Sequence, residues 1–229
     1  AILSIGGNIE IEKVQKLVEK YFDHIPSKSF DLPRPGLAPV QTSPRFQHVQ
    51  RNVPASAIYI GFHMPDRTHR DFYALDMLTD FYAYNDSSYL YKSLVKKQEI
   101  FSSVDSWLSG SVDPGWLLFE GKLDDDVPIE MAIEQLKEAA REGMKRITAH
   151  DVEKIKNKIK TLLVQSEVNV LNKVISLAFF EYLGNIELIN SEGNEYETFT
   201  VDEITQIGQR YIDFDKANIL VYESQPELT

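Results

Sequence analysis

Five histidines, His24, His48, His63, His69 and His150, are the side chains best suited to hold a metal or move a proton near neutral pH. None stands in a His-x-x-x-His pair. None belongs to the H-E-x-x-H or H-x-x-E-H patterns that put two zinc ligands and a general base on one helix. His63 and His69 flank Pro65, but two imidazoles around a turn, with no third ligand near, read as ordinary surface histidines. Asp124-Asp125-Asp126 lacks the glycine and distal glutamate of a calcium loop. It precedes Pro128 and a helical pattern, where acidic residues and proline serve a first turn. Ser87-Ser88 lacks the glycines of a nucleophile elbow and a partnered histidine. No phosphate-cradling G-x-G-x-x-G occurs. Tyr82, Tyr84, Tyr89 and Tyr91 surround Asn85-Asp86, either lining a groove or, the plainer reading, covering a core half-exposed. These residues make no self-contained active site.

The bulk properties narrow the classes further. Across 229 residues, 24 basic against 35 acidic side chains leave a net charge of −11. That balance argues against a nucleic-acid platform and against docking on an anionic membrane. An apolar fraction of 43% suits a globular chain with a core large enough for one sizeable domain. With no cysteine, disulfides and thiolate-bound metal are excluded. The compartment stays open between cytoplasm and periplasm. The most apolar stretch, Val174–Leu183, is interrupted by Ser176 and Glu181 and is too short to span a bilayer, so it reads as a core helix.

The elements that would position any site follow from periodicity. Ala1-Ile2-Leu3-Ser4-Ile5 reads as a buried strand closed by Gly6-Gly7, with no leader segment before it, and Asn8 reads as the N-cap of a helix through Ile11, Val14, Leu17, Val18, Tyr21 and Phe22. Four prolines from Pro33 to Pro44 make residues 26–44 a semi-rigid linker. Strands are expected at 46–51, 58–62, 101–110 and 115–123, and helices from about His69 and over 88–97. A helix after Pro128 carries Ile129, Ala132, Ile133, Leu136, Ala140 and Met144 on one face. Thr148 with Asp151 and Thr200 with Glu203 are capping signatures for two more. The last strand, Asn218–Tyr222, is similar to the first, as if the parent repeated one domain. The fold class is α+β, a mostly antiparallel mixed sheet with helices packed on one face.

In order and spacing these features resemble the insulinase/pitrilysin zinc peptidases, which include the mitochondrial processing peptidases. Residues Ile2–Phe22 with Ile25-Pro26 resemble the end of the family's first domain, with Asn8 where aspartate is usual. Arg51-Asn52-Val53-Pro54 and Ile60-Gly61-Phe62 resemble the first strands of its second domain, and Asp71-Phe72-Tyr73-Ala74-Leu75 its first helix. Ser87-Ser88-Tyr89-Leu90-Tyr91 through Leu94 resembles the family's "SSRLY…L" helix. The resemblance implies three parts: residues 1–25 as the last strand and helix of a preceding domain, 26–44 as linker, and 45–229 as the C-terminal domain.

It further implies that zinc sits in the parent's first domain on H-x-x-E-H plus a distal glutamate, none of which lies within 1–229. This half would then close a substrate chamber and support an unfolded peptide. Its partners would be its own N-terminal catalytic domain and a homologous second subunit. Many members place an arginine and, seven residues on, a tyrosine against the substrate. Those positions fall here on Val95 and Ser102, the substrate-binding candidates, and valine offers neither charge nor hydrogen bond. A partner subunit supplying the missing pair is one expectation. A structural or peptide-binding subunit without catalysis is the other.

Overall fold

The computed structural model describes residues 1–28, 36, 38–124 and 126–225. They fall into two compact units, one of Ala1–Pro39 with Thr161–Ser191, the other of Val40–Lys160 with Glu192–Thr229.

The second unit is built on a five-stranded sheet: β1 (Arg45–Arg51), β2 (Ala57–Met64), β3 (Phe101–Leu108), β4 (Gly115–Leu123) and β5 (Asn218–Ser224), in the order β1-β5-β2-β4-β3. Only the β1–β5 pair is parallel, so the sheet is mixed and mostly antiparallel. Strand side chains alternate between faces. Ile58, Ile60 and Phe62 of β2, Leu117 and Phe119 of β4 and Val221 of β5 point to one buried face. There Phe119 meets Phe62 and Tyr82 edge to face, with centroids at 5.9 and 5.1 Å. Gly121 of β4 makes room for the ring of Phe101, since an added Cβ would come within 2.5 Å of it.

Helix α2 (Arg70–Ala83) is buried along nearly its whole length. His69 caps it, its Nδ1 accepting from the Asp71 amide at 3.0 Å. Helix α3 (Ile129–Arg146) buries Ala132, Ile133, Leu136, Ala140 and Met144, the stripe its spacing predicts. Tyr82 anchors α2 to α3 by donating to the Ala140 carbonyl at 2.7 Å, and burial pushes its phenol well above the usual range. Helix α4 (Ala149–Val168) starts from the Thr148–Asp151 exchange, in which the Thr148 amide donates to Asp151 Oδ2 at 2.9 Å and the Asp151 amide to Thr148 Oγ1 at 3.2 Å. Val201–Tyr211 (α7) carries the full capping box of Thr200 and Glu203. Gly208 lets α7 close on its neighbours, because a Cβ there would meet Met144 Sδ and Leu78 Cδ1 at 2.6 and 2.7 Å. Asp71 ties α2 to α7, accepting from Arg210 Nη1 at 2.9 Å and Tyr211 Oη at 3.0 Å.

The first unit contains α1 (Ile11–Phe22), the last turns of α4, α5 (Val170–Tyr182) and the start of α6 (Leu188–Glu197). Several expectations are corrected here. No strand forms over residues 1–5, which have no pairing partner among the described residues. Glu10, not Asn8, occupies the N-cap of α1, without a side-chain cap bond. Val174–Leu183 is not a core segment: α5 buries only Phe180. Residues 29–35 and 37 of the expected linker lie outside the described residues, while Gln41 at its end is buried and donates to the Lys216 carbonyl at 2.9 Å.

Two further differences concern the second unit. The helix expected over 88–97 is a π-helical turn, Tyr91–Lys97, closed by Glu99 at a φ of 52°. The N-cap of α3 is Pro128, and the acidic residue in its first turn is Glu130 rather than one of the expected run, of which Asp125 lies outside the described residues and Asp126 takes a left-handed φ of 62°.

Candidate functional site

The alternation that buries one sheet face leaves a second set of side chains on the other. Tyr59 and His63 of β2, Trp116, Glu120 and Lys122 of β4, Trp107 of β3 and Leu220 and Tyr222 of β5 share that face and are half-buried or exposed. Trp107 and Trp116 are 41% and 45% exposed, and their rings lean together with centroids 4.8 Å apart at 58°. Two adjacent exposed indoles form an amphipathic platform of the kind enriched at binding surfaces. Tyr59 lies across from Glu120 in the ladder, and burial, then that carboxylate, raise its phenol.

Strand β3 closes one edge of the sheet, so one row of its backbone N–H and C=O groups has no strand partner in this sheet. Ser102 sits at its start, at the irregularity between Phe101 and Ser103, exposed and donating its hydroxyl to the Lys122 carbonyl at 3.3 Å. Val95 is half-buried on the π-helical turn Tyr91–Lys97, which packs against β3. Ser102 therefore lies on the edge strand and Val95 on the turn that packs against β3 and α3. Nothing charged is contributed by either.

The remaining candidates scatter. His48 pairs with Glu223 at 2.8 Å, His69 is a helix cap, and His63 stands opposite Trp116 on the exposed face. Among the described residues no group of three or more His, Asp or Glu could hold a metal ion. Zinc therefore has no fitting donor set among these residues. Ser87 and Ser88 fasten a turn: Ser87 N and Oγ donate to Asn85 Oδ1 at 2.8 and 2.6 Å, and Ser88 Oγ accepts from the Asn85 amide at 2.7 Å. Of the tyrosines, Tyr82 is core, whereas Tyr84 and Tyr89 border a cleft on the helical side. The exposed tryptophan pair escaped sequence reasoning, although Trp-Leu-Leu-Phe-Glu-Gly-Lys-Leu over Trp116–Leu123 carries its signal: the residues alternate, and both tryptophans fall out of phase with the buried set.

Solved structures share this arrangement. A protease from Helicobacter pylori superposes at a TM-score of 0.86 with 20% identity over 95% of the chain and 53% of its own length. The peptidase M16 inactive domain from Pseudomonas fluorescens superposes at 0.80 with 12% identity over 96% and 53%. An inactive peptidase domain from Bordetella parapertussis superposes at 0.70 with 18% identity, over 79% of the chain and 99% of its own length. The chain thus spans about half the length of the first two. No curated protein matches the sequence. At such identities the likeness defines the fold alone, an α+β domain. A family model described as the peptidase M16 inactive domain matches residues 1–159, and the chain belongs to that family. Among the described residues no single helix is long and apolar enough to cross a membrane.

Proposed function

We propose that this chain is the non-catalytic C-terminal half of a zinc-dependent metalloendopeptidase, and that its uncovered sheet face closes the substrate chamber and contacts extended peptide. The observation that carries the reading is the Trp107–Trp116 platform beside the unpaired edge of β3. An extended chain can add to such an edge through main-chain hydrogen bonds, while exposed aromatics grip its side chains. In this reading residues 1–25 belong to the preceding domain, 26–44 link the two, and 45–229 form the closing half. Helix α1 supports it, since an amphipathic helix with no fully buried residue lacks most of its cover. Zinc then belongs to the preceding domain. With Val95 and Ser102 in place of an arginine and a tyrosine, substrate charge would be met by a homologous second subunit.

Trp107 and Trp116 are the chain's two tryptophans, so its indole emission reports on this face alone. Titration with an unfolded peptide is expected to shift that emission saturably, and Trp107→Phe with Trp116→Phe to weaken binding measured by a labelled peptide. Unchanged emission at saturating peptide would contradict the proposal. Val95 and Ser102 also favour a second reading, a structural or peptide-binding subunit without catalysis. An H-x-x-E-H in the preceding domain separates the two.

A further inference from the structure

The helical side of the second unit carries a cleft of about 270 Å³, away from the exposed sheet face. It is bounded by the end of α2, the turn at Asn85–Ser88, Tyr89 and Lys92, the end of α3 and the first half of α4. Phe81 and Tyr89 stack at 5.5 Å and 18°, and with Tyr84 and Ile155 they give the cleft an apolar wall. Around that wall stand four cations, Lys92, Arg146, Lys154 and Lys158, against two carboxylates, Asp80 and Asp151. A net positive cleft in a chain of charge −11 runs against the protein's overall field and concentrates anions locally.

The cations are not equally free. Lys158 donates to Asp80 Oδ1 at 2.6 Å and lies 3.0 Å from the centre of the Tyr84 ring, which fixes the back of the cleft. Lys154 reaches Ser87 Oγ at 2.6 Å. Arg146 has one long contact, 3.5 Å to Glu142 Oε2, while the other oxygen of that carboxylate already takes Lys145 at 2.7 Å. Among the described residues Lys92 makes no ion pair. Lys92 and Arg146 are thus the two least engaged cations of the lining. The wall asks for an apolar body, and the two carboxylates in the lining penalise a dianion more than a monoanion.

We propose that this cleft binds a monoanionic carboxylate with an apolar or aromatic body, of the size of a peptide's C-terminal end. Its carboxylate would lie between Arg146, whose guanidinium can take it in a fork, and Lys92. Its body would rest on Phe81, Tyr84 and Tyr89. The inference stands on this cleft alone and does not depend on the role given to the sheet face.

The test is calorimetric titration of the chain with N-acetyl-leucyl-phenylalanine as the free acid and as its C-terminal amide. The free acid should bind saturably at one site and the amide at least about tenfold more weakly, as expected on losing a charge-assisted contact. Lys92→Gln with Arg146→Gln should bring the acid down to the amide's affinity. Because both side chains are at the surface, the thermal midpoint should hold, and indole emission should not respond in either protein. Excess inorganic phosphate should not displace the acid. Equal affinity for acid and amide, no saturable heat up to millimolar ligand, or displacement by phosphate would each overturn the assignment.

Discussion

Two amphipathic helices of this chain meet opposite fates. Helix α3 buries seven residues, from Ala132 to Met144, against the sheet and its neighbouring helices. Helix α1 has an equally clear apolar stripe and buries none of it fully: Val14 and Val18 are half-buried, Ile11 is 77% exposed and Phe22 51%. End capping does not separate the two: α2, α4 and α7 have His69, the Thr148–Asp151 exchange and the Thr200–Glu203 box, whereas neither α3 nor α1 has a side-chain cap. An amphipathic pattern specifies a face to be covered but not what covers it. In α3 the cover lies in the same unit. In α1 the cover is only partial, which fits a helix belonging to a preceding domain.

That contrast predicts where substitutions matter, read by denaturant unfolding. Phe119→Ala, in the ring cluster with Phe62 and Tyr82, should cost about 3–5 kcal/mol. Gly208→Val should cost about 1–3 kcal/mol, because its side chain must displace Met144 and Leu78 where α7 closes on the core. Thr200→Ala removes one arm of a capping box and should cost about 1 kcal/mol. Leu17→Ala on α1 should stay within about 0.5 kcal/mol, as for surface positions generally. If Leu17→Ala proved as costly as Phe119→Ala, α1 would have a cover within the chain and the contrast would collapse.

A pH dependence sharpens the account of the second unit. Desolvation raises the Asp76 carboxyl above its ordinary value, against the opposing effect of the Tyr196 hydroxyl, which donates to Asp76 Oδ2 at 2.7 Å. With the folded pKa above the unfolded one, folding favours the protonated form. Stability from this group is greatest below the unfolded pKa and falls as pH rises through the folded one. Asp76→Asn keeps an acceptor for Tyr196 and removes the charge, so it should stabilise the protein at neutral pH and converge with wild type in acid. Exposed Glu203 works in the opposite sense: its cap bonds lower its pKa, so its contribution is lost in acid. Unfolding of wild type and Asp76→Asn across pH 3–8 measures the difference. A variant less stable at neutral pH would mean that Asp76 serves the fold as an anion.

Much of the second unit was legible because its signals are local. The α3 stripe, the two Thr–acid caps and the strands around residues 111–114 each follow from spacing and residue type within one element. What escaped depends on remote partners. A strand over residues 1–5 needs a neighbour to pair with, and Val174–Leu183 reads as core by composition although α5 buries only Phe180. The π-helical turn at Tyr91–Lys97 inserts an extra residue per turn that periodicity does not reveal. Val95 and Ser102 came from resemblance, and the structure puts Ser102 on β3 and Val95 on the turn packed against it. The tryptophan platform was hidden because alternation separates two faces without saying which one is covered.

Whether this chain is the silent half of a zinc peptidase is tested most directly by zinc content and peptide cleavage, measured on it beside the longer protein proposed to contain it. The account predicts stoichiometric zinc and cleavage of an unfolded peptide only for the longer protein, alone or with a second subunit. Zinc or cleavage by the 229-residue chain itself would contradict the account and send the search back to its five histidines.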